Sequence, residues 1–203
     1  MMELARQFDD DWFIELGGGG KWYPLRINNT ITIQEVAHSL AHLCRFTGHA
    51  RFRSGPLRAY TVAEHSVKVS WLVPTMAALL HDAHECIVND LATPVKYCVG
   101  NGCPGGAGYN EIAKRAAQNI ADVFNFSYPI DPAVKRADSI LALIEARDLL
   151  PSQGKNWPGF SDEIKGAADD LYTDDSLIRP AGWSPEIAYQ YFLKRFAELG
   201  GKL

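Results

Sequence analysis

No apolar run in this chain approaches the roughly 18 residues that a membrane span requires. The opening MMELARQFDDDW is polar and acidic, so neither a secretory leader nor a membrane partner is expected. Basic charge is also short. Lys and Arg together number 20 against 24 Asp and Glu, a net charge of −4. Duplex nucleic acid needs a basic face to displace phosphate counterions, so nucleic acid is not an expected partner. A small phosphorylated substrate stays open, because a local cation or metal can supply the field it needs. Cysteine is scarce: Cys44, Cys86, Cys98 and Cys103 are the full set. A chain of 203 residues needs no covalent staples. CVGNGC has no second pair to complete a zinc site, so reduced thiols in a cytoplasmic protein are expected. The GGGGK string lacks the Ser or Thr that a phosphate loop places after its lysine. Trp22 and Tyr23 follow Lys21 instead, and the glycines read as a hairpin turn.

What is present is a core. The chain is 47% hydrophobic, without repeats or a linker, which suits one domain. DWFIEL and KWYPLRI, joined by glycines, predict a hairpin over about 12–27. Helical periodicity then runs from about 32 to 150, with a further helical segment over about 160–199. Thr32 with Glu35, and Thr61 with Glu64, have capping-box spacing. Pro74 is placed to open a helix over PTMAALLHDAHECI, and Pro185 another over PEIAYQYFLKRFAEL. DLATPVKY and the stretch from Gly100 to Gly108 read as a long loop, and a short helix is expected near Asp162–Asp170. The expected fold is mainly α, a helical bundle with a small N-terminal β hairpin.

Chemistry concentrates around histidines with acidic neighbours. His65 lies in VAEHS, among apolar positions that should face the core. Sixteen residues on, His81 and Asp82 end the run MAALL, and Asp138 sits beside Leu141 and Ala142 in another helix. Charged groups at such positions are costly unless paired or bound to metal. Two imidazoles and two carboxylates from three helices suit a borderline divalent ion, although each feature by itself also occurs in ordinary cores. His38 and His42, four apart, have no acid placed to complete a site and read as structural or surface residues. His84 is expected to be exposed.

The stretches VAEHS, LLHDAHE, NDLATPVKY and VKRADS resemble those of the HD-domain phosphohydrolases. They are most similar to the branch of bacterial 5′-deoxynucleotidases and small phage dATP triphosphohydrolases. EVAHSLAHLCRFTGH and the terminal WSPEIAYQYFLKRF resemble the phage members as well. The resemblance implies one HD-type helical domain, a homo-oligomer, and His65, His81, Asp82 and Asp138 as ligands of one divalent cation (Mn, Co, Zn or Mg). A second ion could accompany a triphosphate. It matches Glu85 to the carboxylate that positions or deprotonates the attacking water. Asp90, in NDL where the family often has Gly-Asp-Leu, matches an acid that orients sugar or water. Arg45 matches a phosphate-binding arginine. Phe46, His49, Thr93 and Pro94 fall where the base or phosphate would lie. Lys96 either adds charge on the same side or is a solvated lysine.

The implied activity is metal-dependent hydrolysis of a deoxynucleotide. A dNTP, dATP above all, is the leading substrate and a dNMP the alternative. A nucleotide sensor without catalysis is the alternative of another class, and it would have no need of Glu85. A cyclic-nucleotide phosphodiesterase would need further histidines after HDAHE, which are lacking.

Overall fold

The computed structural model describes residues 13–24, 26, 28–53, 55–101, 106–155, 157–173 and 177–203. Within them, strands β1 (Ile14–Glu15) and β2 (Lys21–Trp22) pair antiparallel, Ile14 opposite Trp22 and Glu15 opposite Lys21. The expected hairpin is therefore present; its outer residues 12, 25 and 27 lie outside the described residues. Leu16 and Trp22 anchor it by entering the main core. Helix α1 (Ile33–His42) follows, started by Thr32 and Glu35 in a complete capping box. The same Glu35 carboxylate accepts the Gly18 N–H at 2.9 Å, which fastens the hairpin turn to the first turn of the helix. Ile33, Val36, Ala37, Leu40 and Ala41 bury one face, as the 3.6-residue period requires.

A 3-10 turn (Arg45–Gly48) interrupts the chain before helix α2 (Val62–Leu72). Its two sides are clamped: Arg45 N–H donates to the Tyr60 carbonyl and Val62 N–H to the Leu43 carbonyl. Phe46 and Thr47 both adopt left-handed backbone, with φ of 55° and 54°. That conformation costs a β-carbon residue about 1–2 kcal/mol, and such strain collects where a loop must present particular groups.

Helix α2 runs through the middle of the molecule. Val62, Ala63 and Val67 join the core shared with α1 and with helix α9 (Pro185–Glu198). Val69 joins a second core, formed with helix α7 (Pro132–Leu149) and helix α8 (Asp162–Leu171). The remaining helices are α3 (Met76–Leu79), α4 (Glu85–Val88), α5 (Thr93–Asn101) and α6 (Gly106–Phe124).

Being central, α2 buries polar residues too, and each must find a partner. Glu64 was expected to complete a capping box with Thr61. Only half of that box exists, in which Thr61 accepts the Glu64 N–H. The Glu64 carboxylate instead accepts the backbone N–H groups of Ala181, Gly182 and Trp183 at 2.6, 3.3 and 2.8 Å, and pairs with Lys68 at 2.7 Å. Lys68 also donates to the Arg179 carbonyl. Gly182 is required at this latch. Its φ is +66°, and a β-carbon there would stand 2.7 Å from the Phe52 ring.

Two local expectations fail. HDAHECI does not continue a helix opened by Pro74. Thr75 caps α3, which stops at Leu79, and residues 80–84 turn with three-residue spacing, as in Ala83 N–H to Leu80 O and Glu85 N–H to Asp82 O. The cause is local: His81 Nδ1 takes the Ala78 carbonyl at 2.8 Å, next to the point where the α-helical hydrogen-bond series stops. DLATPVKY is a loop only in part: residues 90–92 are irregular, but α5 begins at Thr93 and carries Pro94 in its first turn, where a missing N–H costs nothing. Residues 102–105 lie outside the described residues.

Asn89, which ends α4, has φ 64° and ψ 161°, a region entered without strain only by glycine. Asn89→Gly should raise the free energy of unfolding by about 1 kcal/mol. An unchanged or lower denaturant midpoint would show that no strain is stored there.

Candidate metal centre

Three elements deliver the candidate ligands. His65 sits one turn into α2, His81 and Asp82 in the tight turn after α3, and Asp138 in the second turn of α7. His65 Nε2 lies 3.3 Å from His81 Nε2 and 3.0 Å from Asp138 Oδ1. His65, His81 and Asp138 offer ligand atoms that all lie within 4.8 Å of one another, a cluster able to hold a metal ion. Asp82 Oδ2 adjoins it, 3.1 Å from His81 Nε2 and 3.8 Å from His65 Nε2.

The donor chemistry fits a divalent cation. Each imidazole has its other nitrogen already committed, His65 Nδ1 to Glu145 Oε1 at 2.6 Å and His81 Nδ1 to the Ala78 carbonyl. With Nδ1 protonated and donating, both Nε2 lone pairs face the same point, the arrangement usual for metal-bound histidine. Burial by itself would lower the His81 imidazole, but the Asp82 charge and hydrogen bond overcome it and raise the pKa to about 9. The cluster thus has a field that favours positive charge.

Arg45 reaches in from the 3-10 turn. Its Nε donates to Glu145 Oε2 at 3.1 Å and one terminal nitrogen to Asp82 Oδ2 at 3.5 Å. Burial would ease its proton off, yet the charges of Glu145, Asp138 and Asp82 hold it on. Glu85 opens α4 with 2% of its surface exposed, and Lys96 from α5 donates to its Oε1 at 3.2 Å. Lys96 thus pairs with the Glu85 carboxylate while 34% of its side chain stays exposed. Burial, then the Asp82 and Asp90 charges, pushes the Glu85 carboxyl well above the usual carboxylate range, with Lys96 opposing.

Three of the remaining expected contacts do not gather here. His49, Thr93 and Pro94 are exposed, and no hydrogen bond or ion pair among the described residues links them to the cluster. Phe46 packs with Ala50, Tyr60 and Leu149 under the Arg45 guanidinium. His84, expected to be exposed, is half-buried, and its Nδ1 is buried without a partner among the described residues. His38 and His42 are exposed and stack on each other with ring centroids 4.5 Å apart.

No protein-family model matches the chain. It is 32% identical over 196 residues to the uncharacterized protein YfdR of Escherichia coli (strain K12), which covers 92% of this chain and 95% of YfdR. The chain belongs to the YfdR family. It is also 35% identical over 167 residues to the uncharacterized protein RCAP_rcc00048 of Rhodobacter capsulatus, covering 73% of this chain and 76% of that one.

In this YfdR-family chain the site holds groups that sequence reasoning missed. Glu145 is buried and touches both His65 and Arg45. Its signal was a lone acid in ILALIEA, seven residues beyond Asp138 and so on nearly the same face of α7. A cavity of about 330 Å³ beside His81 is lined by Lys96, Lys114 and Lys135, by Tyr109 and Tyr128, and by no carboxylate among the described residues. A second cleft, of about 360 Å³, includes His81, Asp82, Lys135, Asp138 and Ser139. The two share His81, Ile130 and Lys135. No helix among the described residues is long and apolar enough to cross a membrane.

Proposed function

We propose that this chain is a metal-dependent phosphohydrolase acting on a deoxynucleoside triphosphate, dATP by preference, with His65, His81, Asp82 and Asp138 as the four ligands. The observation that carries the reading is the convergence of two histidine Nε2 atoms with the Asp138 and Asp82 oxygens beside a buried Glu85. A divalent cation held there would acidify water and neutralise charge on a phosphate oxygen.

The other steps belong to the chain. Glu85 Oε2 is buried and meets no donor among the described residues, so it is free to accept a proton from the attacking water. That water attacks the α-phosphorus, the bond to the sugar 5′ oxygen breaks, and deoxynucleoside and triphosphate leave. The proton held at Glu85 is then available to the departing oxygen. Arg45 binds phosphate through the terminal nitrogen engaged by neither Glu145 nor Asp82, in a site dry enough to strengthen the contact. Lys96, Lys114 and Lys135 supply more positive charge than one phosphate needs, which favours a triphosphate tail over a monophosphate.

The test is a screen of the four dNTPs and four dNMPs with Mn²⁺, Co²⁺, Zn²⁺ and Mg²⁺, followed by chromatography of the products. Deoxyadenosine and triphosphate from dATP are expected, and Asp82→Ala should abolish both turnover and metal uptake. Cleavage of dNMPs alone would make the enzyme a 5′-deoxynucleotidase. A metal-loaded protein inert to every dNTP and dNMP would sink the reading.

A further inference from the structure

Glu145 lies among Ile144, Ala146 and Leu141 in an otherwise apolar stretch of α7, with 0% of its surface exposed. A buried carboxylate is unfavourable unless its oxygens are fully engaged, and a hydrophobic residue of similar size would pack here at no such cost. All its contacts lead toward the site. Oε1 accepts from the Tyr60 hydroxyl at 2.7 Å and from His65 Nδ1 at 2.6 Å, and Oε2 accepts from Arg45 Nε at 3.1 Å. One side chain therefore grips both a histidine of the metal cluster and the arginine proposed to bind phosphate.

We propose that Glu145 is a positioning residue that fixes the His65 tautomer and holds Arg45 in place, so that metal affinity and phosphate binding both depend on it. This role rests on the metal centre of the proposed function. As an acceptor at Nδ1, Glu145 keeps the His65 proton on that nitrogen and turns the Nε2 lone pair toward His81 and Asp138. It also makes the imidazole a stronger donor to a cation. On the other edge it orients the guanidinium before substrate arrives, which removes an ordering cost from binding.

Glu145→Gln separates this role from packing. The amide has the same shape but only one acceptor atom and no charge. If its oxygen faces His65 and Tyr60, its NH₂ opposes the Arg45 Nε–H; if it is turned over, His65 and Tyr60 meet a donor. Either way the charge that strengthens His65 is lost.

The deciding measurement is titration of the full-length, metal-free protein with Co²⁺, by calorimetry and by the visible spectrum of the bound ion. Wild type and E145Q are compared, with far-UV circular dichroism confirming the fold. E145Q should bind Co²⁺ about 10- to 100-fold more weakly, and the KM for dATP at saturating metal should rise. A merely structural glutamate would lower the unfolding temperature without moving either quantity. Wild-type uptake with E145Q within twofold of it overturns the role while leaving the metal centre intact. A wild-type chain that takes up no Co²⁺ overturns both. If E145Q does not fold, Glu145→Asp decides by the same titration, since it keeps the charge but draws the carboxylate back from His65 Nδ1 and Arg45 Nε. Weaker Co²⁺ binding then supports the role, and unchanged binding overturns it.

Discussion

Glu85→Gln is expected to cut dNTP turnover by roughly 10²- to 10⁴-fold while the protein still takes up its metal. Among the described residues Glu85 pairs with Lys96 at 3.2 Å and has no hydrogen bond or ion pair with His65, His81 or Asp138, so the amide should leave metal uptake close to wild type. What it removes is the capacity to take and return a proton. Burial, with the Asp82 and Asp90 charges nearby, pushes the carboxyl well above the usual carboxylate range, and Lys96 keeps it oriented at 3.2 Å. Steady-state kinetics beside metal analysis of the same preparation gives the answer. A variant that keeps more than about a tenth of wild-type turnover would remove Glu85 from the chemistry.

The largest loss of stability is expected far from any reacting atom. Glu64→Ala should cost about 3–5 kcal/mol and lower Tm by roughly 10 °C. The substitution strands Lys68, which has no surface exposed and whose ammonium burial already pushes down against the pull of Glu64. It also leaves the N–H groups of Ala181, Gly182 and Trp183 without their acceptor. The latch connects α2, which carries His65, to the segment leading into α9. Glu64→Gln keeps an acceptor but no charge, and should fall between the two. Urea unfolding of the three proteins orders them, and a Glu64→Ala midpoint equal to wild type would mean that Lys68 finds another partner.

Sequence pattern reached the elements whose cause is local. The Thr32–Glu35 box, the stripe of α1 and the helices of 132–149 and 185–198 follow from side chains within four residues of one another. It failed where a distant or competing partner decides. Glu64 has the spacing of a box residue, and only folding brings residues 181–183 to it. The helix through HDAHECI breaks because His81 takes a carbonyl of its own helix, a choice that serves the cluster and not the helix. Pro94 read as a loop signal although it lies in the opening turn of α5.

The site divides in the same way. His65, His81, Asp82, Asp138, Glu85 and Arg45 stand in short motifs and do converge. Glu145 has no motif around it, and Lys114 and Lys135 look like ordinary surface cations until α6 and α7 place them at one cavity. His49, Thr93 and Pro94 carry motif letters without sharing the cluster.

The span of chain that the centre gathers has a kinetic consequence. Glu145 meets His65 across 80 residues and Arg45 across 100. Loops of that length close late, after local helices have formed, because their closure entropy must be met before their contacts repay it. The unfolded chain therefore offers a cation scattered donors and no preformed cage. A bound ion stabilises the native state alone, and contacts absent from the folding transition state act on the unfolding rate. A metal held there would then work as a brake on unfolding and not as a template for folding: the loaded protein should leave the native state slowly, yet reach it no faster than the chain without metal.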